Sequence, residues 1–176
     1  GAVLFRTGEI RGSHLGGLYK TMPWTTGFCI VGAVSMSFPL FCGFVSKSII
    51  ITEAARDGHL LIWMCLLFAS AGVFHYAGIK IPFVAFFAND SGLRPKEAPI
   101  NMLIAMGISS FLCIFLGCNP QWLYDLLPNG AAGYHPYDAT HVITQIEILL
   151  FSALAFTLLN LWGKYPPELP SVNLDA

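Results

Sequence analysis

The sequence predicts an all-α integral membrane protein with four transmembrane segments, the first of them a broken, discontinuous helix. Three observations carry that prediction. Apolar residues make up 55% of the chain and charged residues only 11%, against about 25% charged residues in a soluble domain. The apolar residues gather in four long runs, separated by polar loops rich in Pro and Gly. A chain of 176 residues builds one core, and that core is too small to hide this much apolar surface, so lipid is the natural cover.

The first run covers residues 24–54, the second 60–88, the third 100–118 and the fourth 141–162. Crossing a hydrocarbon core takes about 20 helical residues. The third and fourth runs fit that length. The first two, at about 30 residues each, make straight helices of roughly 45 Å, so they must tilt, break or leave the membrane.

In the first run the break is legible. Pro39 removes a backbone donor and clashes with the preceding turn, and Gly43 relaxes the chain just after it. Ser35 and Ser37 stand beside these residues and offer hydroxyls that could hold water or a cation. Interrupted backbone at membrane depth is tolerated where protein or a water-filled cavity covers it. A plain proline kink is the simpler alternative. In the second run Gly72, Gly78 and Pro82 predict a bend in the later half. Alternatively the helix ends near Gly78, and residues 79–87 lie along the interface.

Charge sets the expected orientation. Arg6, Arg11, Lys20, Arg94, Lys96 and Lys164 fall in three stretches on one side of the membrane, residues 6–22, 89–99 and the tail 164–176. Arg56 stands alone on the other, and the long loop 119–140 has no Lys or Arg. The positive-inside rule makes the first side cytoplasmic and puts loop 119–140 outside. Trp24, Trp63, Trp122 and Trp162 all lie near predicted membrane ends, as an aromatic belt requires. The net charge of −1 and the lack of a basic stripe or a phosphate-cradling loop give no reason to expect nucleic acid.

Of nine Lys and Arg residues, Lys47 and Lys80 alone lie inside apolar runs. A charge at the bilayer centre costs at least about 2.5–3.5 kcal/mol, so such a residue is functional or snorkels to water. Lys47 is eight residues after Pro39 and nine before Arg56, about 12–14 Å of helix from either end. Desolvation disfavours the charged form of a buried amine, which suits a proton relay. The bland alternative is a lysine that pairs with a carboxylate and locks helices together. Lys80 either belongs to a relay with His75 or simply reaches the interface, and His75 could equally bond a backbone carbonyl. Glu147 lies six residues into the fourth run, where a carboxylate about 9 Å from the helix start partners a lysine or stays near headgroup water. His141 and Gln145 share one helix face there, and Glu147 points elsewhere. Five cysteines lack CxxC or Cys/His metal spacing, and no hydrolase motif or metal signature is present, so neither metal nor cofactor is expected.

The run LGGLYKTMP at residues 15–23 is followed by GAVSMSFPLFCGFVSK at residues 32–47. Together they resemble the proton-conducting membrane subunits shared by Mrp-type multisubunit cation/proton antiporters, NADH:quinone oxidoreductases and related membrane-bound hydrogenases. HYAGIKIPF at residues 75–83 and GLRP at 92–95 look like the D-like branch of the Mrp antiporter proteins. The resemblance implies a parent subunit of roughly fourteen helices with two inverted five-helix repeats, each containing one discontinuous helix. This chain corresponds to its C-terminal part, with Lys47 in the place of the family's proton-path lysine. Residues 1–22 become the end of a preceding helix and a cytoplasmic loop, 23–163 the C-terminal transmembrane part, and 164–176 a cytoplasmic tail. One departure stands out: many members carry Gly-x-Pro at the break, where this chain has Ser37-Phe38-Pro39, which stiffens the link.

The leading expectation is therefore an ion-translocating subunit of an Mrp-type antiporter in the cell inner membrane, moving protons, with exchange for sodium as an option, among other membrane subunits. The first alternative is the proton-pumping arm of a NADH:quinone oxidoreductase or membrane-bound hydrogenase. The second is a structural scaffold. On none of these readings does the chain carry a catalytic site of its own.

Overall fold

The computed structural model describes residues 1–88, 90–127 and 134–162; the predicted tail 164–176 and part of loop 119–140 lie outside them. Among the described residues every regular element is helical. A short α1 (Ala2–Thr7) leads through two single 3₁₀ turns, Gly12–His14 and Leu18–Lys20, into α2 (Pro23–Ser35). Then come α3 (Cys42–Arg56), α4 (Leu60–Phe87), α5 (Ile100–Cys118), the single-turn α6 (Pro120–Tyr124) and α7 (Ala139–Leu161).

Three of these helices, α4, α5 and α7, are long and apolar enough to cross a membrane. Little of their surface is covered by the rest of the chain. Leu61, Phe68, Phe111 and Phe151 are all more than half exposed, as expected of apolar surface that faces lipid or further protein. Helices α2 and α3, with 13 and 15 residues, are each too short to cross alone. They sit at the centre. The α5 helix packs against both, α4 covers α3, and the later half of α4 touches α2 and α7.

Proline starts α2, where its missing donor costs nothing. The helix lacks a capping side chain of its own, and Glu97 supplies one from the loop before α5. Its carboxylate accepts the Trp24 and Thr25 backbone N–H groups at 3.0 and 3.3 Å and the Thr25 hydroxyl at 2.6 Å. An anion at a helix N-terminus is favoured by the orphan donors and the macrodipole. Arg6 Nε donates to the Glu97 carbonyl at 2.8 Å and ties α1 to the same place. Nearby, the Arg94 guanidinium grips Asp90 at 2.6 and 2.8 Å and holds its carboxyl well below the usual range.

At the other end α2 stops at Ser35. Pro39 has no N–H to give, Leu40 turns left-handed at φ 74°, and Phe41 is extended before α3 begins. The two helix ends abut so closely that a Cβ on Gly43 would collide with the Ser35 and Met36 carbonyls. The turn itself rests on α5, where a Cβ on Gly117 would collide with the Leu40 carbonyl. Tyr137 donates its hydroxyl to the Gly117 carbonyl, and Tyr124 donates to the Val45 carbonyl at 3.1 Å from full burial.

The second run does not end near Gly78. Helix α4 continues to Phe87 by widening into π-helical turns at Phe74–Lys80 and again at Phe83–Phe87. A wider turn absorbs Pro82, whose ring and missing donor an α-helix would not accept.

This packing makes two features testable. Gly117→Ala forces backbone apart and should cost about 1–3 kcal/mol or more, read as a lower unfolding temperature of the full-length protein in detergent. Gly107→Ala is the matched control and should be tolerated, because its Cβ would meet only the Phe28 ring at 3.5 Å. The other feature is Glu97. Burial works against its charge, but the bonds from Thr25, Ala98 and Trp24 outweigh burial and hold the carboxyl below its ordinary value. A depressed carboxyl stabilises the fold at pH values above its unfolded range and loses that contribution on acidification. Stability should therefore fall as the pH drops through the carboxylate range, and Glu97→Gln should flatten that part of the profile.

Candidate functional site

Lys47 sits on the second turn of α3 and points back into the gap between the helices. Its Nζ donates to Ser37 Oγ at 2.5 Å and to Ser70 Oγ on α4 at 3.2 Å. Both hydroxyls are buried, Ser37 completely. Among the described residues no carboxylate lies within ion-pair distance of the ammonium. The interrupted helix is what permits this: Ser37 can face Lys47 because the chain has left α2 by that point, and Pro39 is buried behind it. The C-terminal end of α2, with its unpaired carbonyls, carries partial negative charge toward the cation.

The other predicted residues fall in two places. Ser35 spends its hydroxyl on the Gly32 carbonyl at 2.7 Å, within its own helix, and so belongs to the helix end. His75 and Lys80 lie in the π-helical stretch of α4. His75 Nδ1 is 3.5 Å from Ser152 Oγ on α7, and its ring meets Phe156 edge-on at 5.8 Å. The Lys80 ammonium lies over the Tyr76 ring at 5.2 Å. His75 thus faces α7, while Lys80 meets a ring of its own helix. Glu147 is exposed on the opposite face of α7, away from Lys47.

The fold also brings to Lys47 several groups that the sequence does not single out. A cavity of about 190 Å³ opens beside it, walled by α3, α4 and the start of α7. Phe44, Ile51, Trp63 and Leu67 make its apolar side, while Ser48, Thr52, Thr144 and Gln145 are among its polar lining. His141 also lines it, with Nε2 3.1 Å from Thr52 Oγ1, and that oxygen is also 3.1 Å from the Tyr134 hydroxyl. Two buried polar atoms here have no partner among the described residues, His141 Nδ1 and Gln145 Nε2. The shared face of His141 and Gln145 is visible in the sequence, but the cavity they meet is not.

A helical membrane protein with a lysine seated in a helix interruption is the class that fold and site define. Comparison with known proteins narrows it. The chain is 30% identical over 164 residues to NADH-ubiquinone oxidoreductase chain 5 of Marchantia polymorpha, a match covering 80% of this chain and 24% of that protein. It is 27% identical over 114 residues to NADH-quinone oxidoreductase subunit N of Methylovorus glucosotrophus, covering 64% and 23%. To hydrogenase-4 component B of Escherichia coli it is 27% identical over 136 residues, covering 70% and 20%. No protein-family model matches. The chain spans about a fifth to a quarter of the length of the curated relatives it matches. These relatives are antiporter-like membrane subunits, and this chain is homologous to them.

Proposed function

We propose that this chain is the C-terminal part of a proton-translocating, antiporter-like subunit in a redox-driven membrane complex of the NADH:quinone oxidoreductase or hydrogenase kind. On this reading Lys47 takes up and releases the proton. The observation that carries it is an ammonium held at a helix interruption by two neutral hydroxyls, Ser37 and Ser70. A carboxylate partner would be left as a buried, uncompensated charge each time the lysine lost its proton. Hydroxyls bond either form of the amine, so the proton can come and go.

In this reading α2 and α3 are the two halves of one discontinuous span. With α4, α5 and α7 they make four crossings within a larger subunit of roughly fourteen helices. The cationic stretches 6–22, 89–99 and 164–176 face the cytoplasm, and loop 119–140 faces outward. The membrane is a bacterial-type inner membrane, and other membrane subunits of the complex are the partners. His75 and Lys80 on α4 form a second polar point on the path. The names of the relatives favour the redox complexes over an Mrp-type antiporter, which makes sodium exchange the secondary reading.

Lys47→Met in the full-length subunit, within its assembled complex in sealed vesicles, tests the proposal. Proton flux per turnover should fall at least about tenfold, the equivalent of about 1.4 kcal/mol, with assembly intact on a native gel. Normal flux in the assembled variant returns Lys47 to a scaffold role. Ser37→Ala should give a partial loss, since Ser70 still holds the amine.

A further inference from the structure

We infer that the cavity between α3, α4 and α7 holds a short chain of water through which His141 takes on the proton that Lys47 releases, with Gln145 orienting that water. The inference rests on the proton-carrying role proposed for Lys47.

The first support is a deficit. Gln145 is 7% exposed, and its Nε2 has no partner among the described residues; neither has His141 Nδ1. A buried polar group left unsatisfied costs its full desolvation penalty. Both residues line the same cavity, so a polar guest there removes both penalties at once. Its volume of about 190 Å³ has room for several waters, and waters need two to four polar partners. Lys47, Thr140, Thr144, His141 and Gln145 supply them.

The second support is the histidine tautomer. Thr52 gives its hydroxyl hydrogen to the Ser48 carbonyl at 2.8 Å. Its oxygen can then only accept from His141 Nε2 at 3.1 Å, which places the ring N–H on Nε2. In the neutral ring Nδ1 is thereby a bare lone pair. A proton leaving Lys47 Nζ breaks an N–H bond there and, through water, forms one at Nδ1, and the positive charge moves from ammonium to imidazolium.

Geometry fits the distance. Thr52 lies five residues beyond Lys47 on α3, about 7.5 Å of helix rise, and both residues line the cavity. The charged and titratable groups on the cavity are Lys47 from α3 and His141 from α7; α4 contributes the uncharged Trp63 and Leu67. Among the described residues no carboxylate lines it. A space that faces an ammonium and lacks anionic oxygens suits water and protons and repels a sodium ion.

The test uses the full-length subunit in its assembled complex in sealed vesicles. His141→Gln keeps an N–H donor for Thr52 but carries no proton, and proton flux per turnover should fall at least about tenfold. In His141→Ala, added imidazole should restore flux, which a packing role would not allow. Flux within about twofold of the parent in His141→Gln, or no rescue of an assembled His141→Ala complex, overturns the inference. Lys47→Met in the same assay separates the two readings. If Lys47→Met abolishes flux and His141→Gln does not, the relay to His141 alone falls. Unchanged flux in both removes the role of Lys47 as well.

Discussion

The arrangement turns on one contact: an ammonium inside the gap of an interrupted helix, bonded to hydroxyls and, among the described residues, to no charged group. A continuous helix could not provide it. Within a helix the backbone around position 37 would be consumed by its own ladder, and Ser37 would lie on a rod ten residues from Lys47. Ending α2 at Ser35 and restarting at Cys42 folds those ten residues back, so that Ser37 Oγ comes within 2.5 Å of Nζ. The negative end of α2 then adds a modest attraction, on the order of 0.3–1 kcal/mol.

Keeping such a gap open has a structural cost, and the surrounding helices meet it by close backbone approach. Leu40 adopts a left-handed conformation that only a well-packed neighbourhood sustains. Its carbonyl lies on Gly117, and the helix ends touch at Gly43. Glycine is needed at both places for want of room, not for want of backbone freedom. Tyr124 and Tyr137 hold the same region by hydrogen bonds to the Val45 and Gly117 carbonyls. At the opposite end of α2, Glu97 and Arg6 fasten the first turn. The short helices are therefore anchored at both ends by polar contacts, while the long helices expose apolar faces.

Much of this is legible in residues with strong local consequences. Pro39 and Gly43 announce a break whatever surrounds them, and a lysine in an apolar run is conspicuous by its cost. Helical spacing points Glu147 away from His141 and Gln145, and the structure agrees: Glu147 is exposed while Gln145 is buried. What stays hidden depends on contacts between distant segments. Ser70 is one small hydroxyl in an apolar helix, and nothing local distinguishes it from a residue that bonds its own backbone, as Ser35 does. Gly117 is visible as glycine but not as the floor under Leu40. Gly78 and Pro82 signal disturbance, yet the choice between stopping and widening is decided by α2 and α7 packing on that stretch.

The two polar regions beside Lys47 differ in how fully their groups are satisfied. On the gap side the amine meets Ser37, fully buried, and Ser70, 6% exposed. On the cavity side the same residue borders about 190 Å³ whose lining includes two residues with unsatisfied groups. Lys47 thus has bonded hydroxyls on one side and open space with unsatisfied polar groups on the other. Low local dielectric sharpens that contrast, because a hydrogen bond and an unmet polar group both count for more there than in water. The asymmetry comes from where helix α2 ends, and so from Pro39, more than from the lysine itself.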